Sequence, residues 1–239
     1  MKRLLYLLLL NTVSFSAYSQ NDSYSFPVTQ KSDAWNKMTN YQQRWDACQI
    51  PAPILSNMST EGLVITYLNY PLLFDLLVFR TTQAGVEKLK SHFNGLPELL
   101  SRPDAHSELI SRYKELYLQT IDPNWPATEI GFHVVKIVSI ESLLAQPSIL
   151  NALNTEKRKK LMKTVYQAYQ NKQANNKYHS TVGLSSTAWL MTRIMKTDGL
   201  QLTIEKTDDV NVKTFVEQGF SINVETIESI ARDAEQFIN

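Results

Sequence analysis

Between Ile54 and Phe79 the chain reads ILSNMSTEGLVITYLNYPLLFDLLVF, and this stretch leaves few folds open. Ser59 has the side chain of a helix N-cap, and Glu61 places a carboxylate in the first turn, where the helix dipole favours it. Val64, Tyr67 and Leu68 then recur at i, i+3 and i+4, the spacing of one helical face. Pro71 kinks that helix or opens another, and from Leu72 to Phe79 only Asp75 is polar, which predicts a second helix buried on most sides. Seven glycines among 239 residues leave little material for tight hairpins or phosphate-cradling loops. The expected class is all-α, with at most one minor strand or hairpin.

The first residues carry a different signal. Lys2 and Arg3 precede the apolar run Leu4–Leu10, and Ala17 and Ser19 are the small residues that a signal peptidase reads. The run is far short of the ~18 residues that span a bilayer. Residues 1–19 are therefore read as a cleaved export signal, leaving no transmembrane segment in the mature chain. Cleavage after Ser19 leaves 220 residues in which 22 basic side chains face 23 acidic ones, a formal charge of −1. Such a balance gives no field to steer nucleic acid. The destination is the periplasm or the exterior. Cys48 is the only cysteine, so no internal disulfide is available and stability rests on packing.

Residues 20–32 read as a polar, flexible arm, and 33–239 as a single helical domain. Ser32 or Asp33 caps a helix carrying Trp35, Met38, Tyr41 and Trp45, which Pro51 and Pro53 end. Further helices are predicted over 82–93, closed by Asn94-Gly95 as a left-handed stop, from Asp104 onward, over 127–145, from Asn154, over 186–195 and from Asn223. Gln170–Lys177, rich in amides and lysines, reads as an exposed helix end or loop. Leu200–Ile204 alternates with period two, the one strand-like pattern.

An internal echo bears on architecture. Residues 54–61, ILSNMSTE, align with 149–156, ILNALNTE, at an offset of 95, and Pro97–Ser101 before Asp104 has the same grammar at about 45. Steps of ~40–47 residues match HEAT-type repeats, so the expectation is a short HEAT-like helical-repeat array or an irregular helical domain.

The run CQIPAPILSNMSTEGLVITYLNYPLLFDLLVF, followed by FNGLPELLSRPDA, resembles a group of exported bacterial helical proteins of uncharacterised function, over about Cys48–Ala105. The resemblance implies export and helices, and no mechanism.

Candidate chemistry is sparse. Glu129 and His133 lie four apart on one helix and could share a metal, yet no second histidine completes a zinc helix, and a core or boundary histidine is the plainer reading. Cys48 with His92, His106 or His179 lacks any protease signature. Ser180, Ser185 and Ser186 beside His179 lack the context of a nucleophile elbow. Asp75 interrupts an apolar run and needs a partner if buried. Lys157-Arg158-Lys159-Lys160 reads as a solvated helix face, with Glu156 and Lys160 as an i,i+4 pair. No catalytic, cofactor-binding or metal site is assigned. The expected role is a protein- or peptide-binding module; the alternatives are an unrecognised enzyme with a polar cleft around Asp75 or Glu129/His133, and a structural envelope component.

Overall fold

The computed structural model describes residues 22–206 and 209–239; the predicted export signal lies outside them. The chain is all-α. Among the described residues there are thirteen α-helices and no strand: α1 (Asp33–Asn36), α2 (Tyr41–Ala47), α3 (Ala52–Asn57), α4 (Thr60–Leu68), α5 (Thr82–His92), α6 (Gly95–Ser101), α7 (Ala105–Leu118), α8 (Ala127–Leu144), α9 (Pro147–Leu150), α10 (Thr155–Ala174), α11 (Thr181–Thr197), α12 (Val210–Gln218) and α13 (Val224–Ile238). One apolar core runs from Phe26 to Phe237. Its centre is α11, which packs on α8, α10, α12 and α13, while α7 crosses α8 and α10. The first half of the chain gathers around α4, which packs on α6 and α7.

Several elements depart from their sequence reading. The expected arm is seated on the core from Asp22 onward. Asp22 accepts from the Ser59 N–H and hydroxyl, and the Tyr24 N–H donates to Thr66 Oγ1 at 2.8 Å. Phe26 is buried edge-on to Tyr70. The helix expected from Ser32 is two, because Asn40 caps Gln43 N–H and the Gln43 side chain reaches back to Thr39 N–H, founding a new N-terminus. The apolar run after Pro71 is a 3-10 helix, Leu73–Leu77, which buries Leu73 and Leu76 and leaves Leu77, Val78 and Phe79 exposed.

Asn94 is right-handed at φ −63°, so it makes no left-handed stop. Its side chain is engaged elsewhere, accepting from Ile50 N–H and donating to Ile50 C=O. Gly95 is needed there because a Cβ would fall 2.4 Å from the Phe93 ring. Leu202 and Ile204 do point inward, which is what the period-two pattern recorded. No strand forms around them, since Glu205 accepts the Leu202 N–H, Asp233 accepts the Thr203 N–H, and residues 203–206 close into a 3-10 turn.

The sequence echo has a local counterpart. Ser59 Oγ accepts from Gly62 N–H at 3.0 Å, and Asn154 Oδ1 from Lys157 N–H at 2.9 Å, so the two segments enter capped helices in the same way. The Leu55 and Met58 carbonyls accept from the Arg102 guanidinium, and their counterparts Leu150 and Leu153 accept from Arg158. Thr60 donates to Asp104, and Thr155 donates to Asp198. The two corners match, but the helices they launch do not: α4 has 9 residues and α10 has 20. Arg158 is thus drawn out of the predicted solvated face into an ion pair with Asp198, whereas Lys160 and Glu156 do pair at 3.7 Å.

Candidate functional site

The polar centre of the molecule lies where α7, α8, α10 and α11 meet. Glu141 on α8 is 0% exposed and Lys172 on α10 is 2% exposed. Lys172 Nζ stands 2.8 Å from both Glu141 carboxylate oxygens and donates also to Thr187 Oγ1 and the Gly183 carbonyl. Tyr113 OH on α7 donates to Glu141 Oε1 at 2.7 Å, Thr187 Oγ1 lies 2.8 Å from the same oxygen, and Ser186 donates to Oε2. A buried ion pair is tolerable only when its remaining lone pairs and protons are met, and here they are. Burial pulls the Lys172 ammonium's pKa down, against the opposing charge of Glu141. Burial, and then that same carboxylate, pushes the Tyr113 phenol well up. With all its acceptor sites occupied, Glu141 is poorly placed to act as a general base.

The pair is oriented across the bundle. Its Lys172 member also lines a cavity of about 150 Å³, together with Tyr117, His133, Ile137, Asn171, His179 and neighbouring residues. Its carboxylate end meets Ser186, which with Ser185 lines a separate cleft of about 280 Å³ walled by Leu76, Leu77, Phe79, Val138, Val182 and Phe220, with Arg80 at its edge.

In the cavity, His133 and His179 are both buried, and His179 Nδ1 has no hydrogen-bond partner among the described residues. Trp125 meets the His133 ring edge-on. Burial and the nearby Lys172 charge pull His179 down to about 4, and burial lowers His133 as well. Both rings are neutral at pH 7.

In the cleft, the hydroxyls divide their roles. Ser186 gives its one proton to Glu141, so it offers the cleft only lone pairs. Ser185 Oγ accepts from Ile222 N–H at 3.1 Å, and its own proton has no acceptor among the described residues.

The residues singled out from sequence are scattered. Glu129 is exposed and His133 buried, and no hydrogen bond or ion pair joins them among the described residues. His133 lines the cavity. Asp75 is half-buried in the 3-10 helix, its pKa raised by burial against the pull of Arg44 and Lys88. Cys48 is buried and free, and burial pushes its thiol up to about 11, which keeps it protonated and unreactive. His92 packs tilted against Trp45 and meets Lys88 and Ser91, while His106 lines a different surface depression. Ser180 is the α11 N-cap residue. Among the described residues no three His, Cys, Asp or Glu are grouped as a metal site.

The residues that sequence reasoning missed are Glu141, Lys172 and Tyr113. Lys172 lies in the amide-rich segment expected to be exposed, yet it continues the buried α10 stripe of Leu161, Val165, Ala168 and Tyr169. That register is the signal that finds it. The chain matches no protein-family model, no curated protein and no solved structure.

Proposed function

We propose that this is an exported binding module whose cleft between the 3-10 helix, α8 and α11 takes a short apolar peptide segment ending in, or flanked by, a carboxylate. The observation that carries the reading is the cleft itself. Leu77, Val78 and Val182 are 41%, 72% and 45% exposed beside an apolar wall, a cluster that water does not favour. Side by side at its base, Ser185 has a proton to give and Ser186 has lone pairs to receive one. That pairing fits a peptide group, with its C=O and N–H. Arg80, in no ion pair among the described residues, complements a carboxylate at the edge.

The test is titration, followed by backbone amide NMR, with an N-acetylated apolar tripeptide bearing a free carboxylate. The same tripeptide as C-terminal amide is the comparison. Saturable shifts at residues 76–80 and 182–186 are expected. Binding should weaken about tenfold for the amide and for Arg80→Ala, roughly one charge-assisted hydrogen bond. Val182→Asp, at an exposed position, should abolish it. Uniform or absent shifts with both peptides overturn the reading.

A further inference from the structure

The basic run at the start of α10 is divided among three surroundings. Arg158 pairs with Asp198, and Lys159 stands over the Phe237 ring at 5.7 Å. Lys157 and Lys160 instead line a surface depression of about 210 Å³ between α10 and α7, together with His106 and Lys114 of α7. Ile110, Leu153 and Leu161 supply its apolar part, and no acidic side chain lines it. Helical register explains the grouping. His106, Ile110 and Lys114 recur every four residues on α7, and Lys157, Leu161 and Thr164 follow at steps of four and three on α10, so each set shares one face. The acids of α7 lie elsewhere, Glu108 and Glu115 lining a separate small depression with Glu61 and Arg112.

Three features set this surface apart from an ordinary solvated helix face. Lys114 and Lys157 are in no ion pair among the described residues, and only Lys160 has a carboxylate, Glu156 at 3.7 Å. Lys157 stands in the first turn of α10, where the helix dipole disfavours a cation. His106 Nδ1 is buried with no hydrogen-bond partner among the described residues, a condition that protein polar atoms rarely tolerate. A concave surface lined by one sign of charge draws in the opposite one.

We infer that this depression binds a small organic phosphate monoester, its phosphate met by Lys114 and Lys157 and its apolar part laid on Ile110, Leu153 and Leu161. Charge selects the head group. A phosphate monoester carries about −1.5 to −2 charges near pH 7, which matches two unpaired ammoniums, whereas a monocarboxylate leaves one of them unmatched. The apolar floor selects the rest, because an organic substituent covers it and inorganic phosphate does not. Size sets the limit. A volume of about 210 Å³ is below the ~300–1,000 Å³ of pockets for drug-sized ligands, so it takes a head group with a short chain or one ring and not the two chains of a phospholipid. The depression shares no lining residue with the peptide cleft, so the two proposals stand or fall separately.

The experiment is NMR of the full chain, following backbone amides and the His106 ring, during titration with phenyl phosphate above its second pKa of about 6. Inorganic phosphate, which lacks the ring, and benzoate, which lacks the second charge, are the comparisons. Saturable shifts at residues 106–114 and 157–164 are expected, with phenyl phosphate bound about tenfold more tightly than either comparison. The double variant Lys114→Gln/Lys157→Gln, at exposed positions, should weaken phenyl phosphate about tenfold and leave the thermal midpoint unchanged or raised. Equal affinity for inorganic phosphate or benzoate, unaltered affinity in the double variant, or no saturable shift overturns the inference. Sedimentation with phosphatidate vesicles without a response to phenyl phosphate overturns it in favour of a membrane surface.

Discussion

At the scale of single residues the molecule turns on Lys172. A lysine in the core is costly to desolvate, and what holds it is the two-point contact with Glu141 at 2.8 Å plus Gly183 O and Thr187. Removing one partner strands the other. Lys172→Met should lower unfolding free energy by ~3–5 kcal/mol, because Glu141 is left as an uncompensated buried charge. The double variant Lys172→Met/Glu141→Leu should recover most of that loss, since a pair replaced by apolar groups of similar volume is often nearly neutral. Denaturant unfolding of both variants checks this. A double variant as unstable as the single one would place the stabilisation in hydrogen bonds rather than in charge balance.

At the scale of elements, the helices were legible and their seams less so. Periodicity located α8 to within a residue, although its second half, 137–144, is buried all round rather than on one stripe. The caps Ser59, Asn154 and Asn223 were legible for the same local reason, each needing only its own side chain and the N–H three residues on. Long-range contacts were not legible. Nothing local in Asn94 says that its amide pairs with Ile50, and nothing local in Arg158 says that Asp198 awaits it. Asp75 drew attention because its neighbours are apolar, but apolar neighbours in a 3-10 turn face solvent on one side. Lys172 escaped because its neighbours are polar, although helical register placed it inward. The two corners at 54–61 and 149–156 sharpen the contrast between local and long-range stabilisation. Ser59→Ala and Asn154→Ala should each cost ~1 kcal/mol by thermal unfolding. Arg158→Ala should cost more than either cap, because Asp198 loses its charged partner and the Leu150 and Leu153 carbonyls lose their guanidinium donor. Equal losses for all three would mean that the guanidinium frame contributes no more than a cap.

At the scale of the whole molecule the all-α class followed from scarce glycine and helical spacing, and α12 went unread because Val210–Gln218 is short. No helix among the described residues is long and apolar enough to cross a membrane. The proposed export rests on Lys2, Arg3, Ala17 and Ser19. N-terminal sequencing of protein recovered from outside the cytoplasm should begin at Gln20 or within a residue or two, and intact Met1 in that fraction would sink the proposal.

Gly219 ties these scales to biosynthesis. Its left-handed φ of 66° seats its backbone on the Trp189 ring, where a Cβ would lie 2.6 Å from the indole, and its carbonyl accepts the Thr82 N–H at 2.8 Å. Thr82 and Trp189 therefore both wait for Gly219. A ribosome that has made the chain as far as Lys206 holds a polypeptide whose α5 lacks this tether and whose α11 has no α13 to cover it. Until Ile227, Ile230 and Phe237 have been synthesised, the core cannot close around α11. That side of α11 is therefore the last part of the core to be covered as the chain is made.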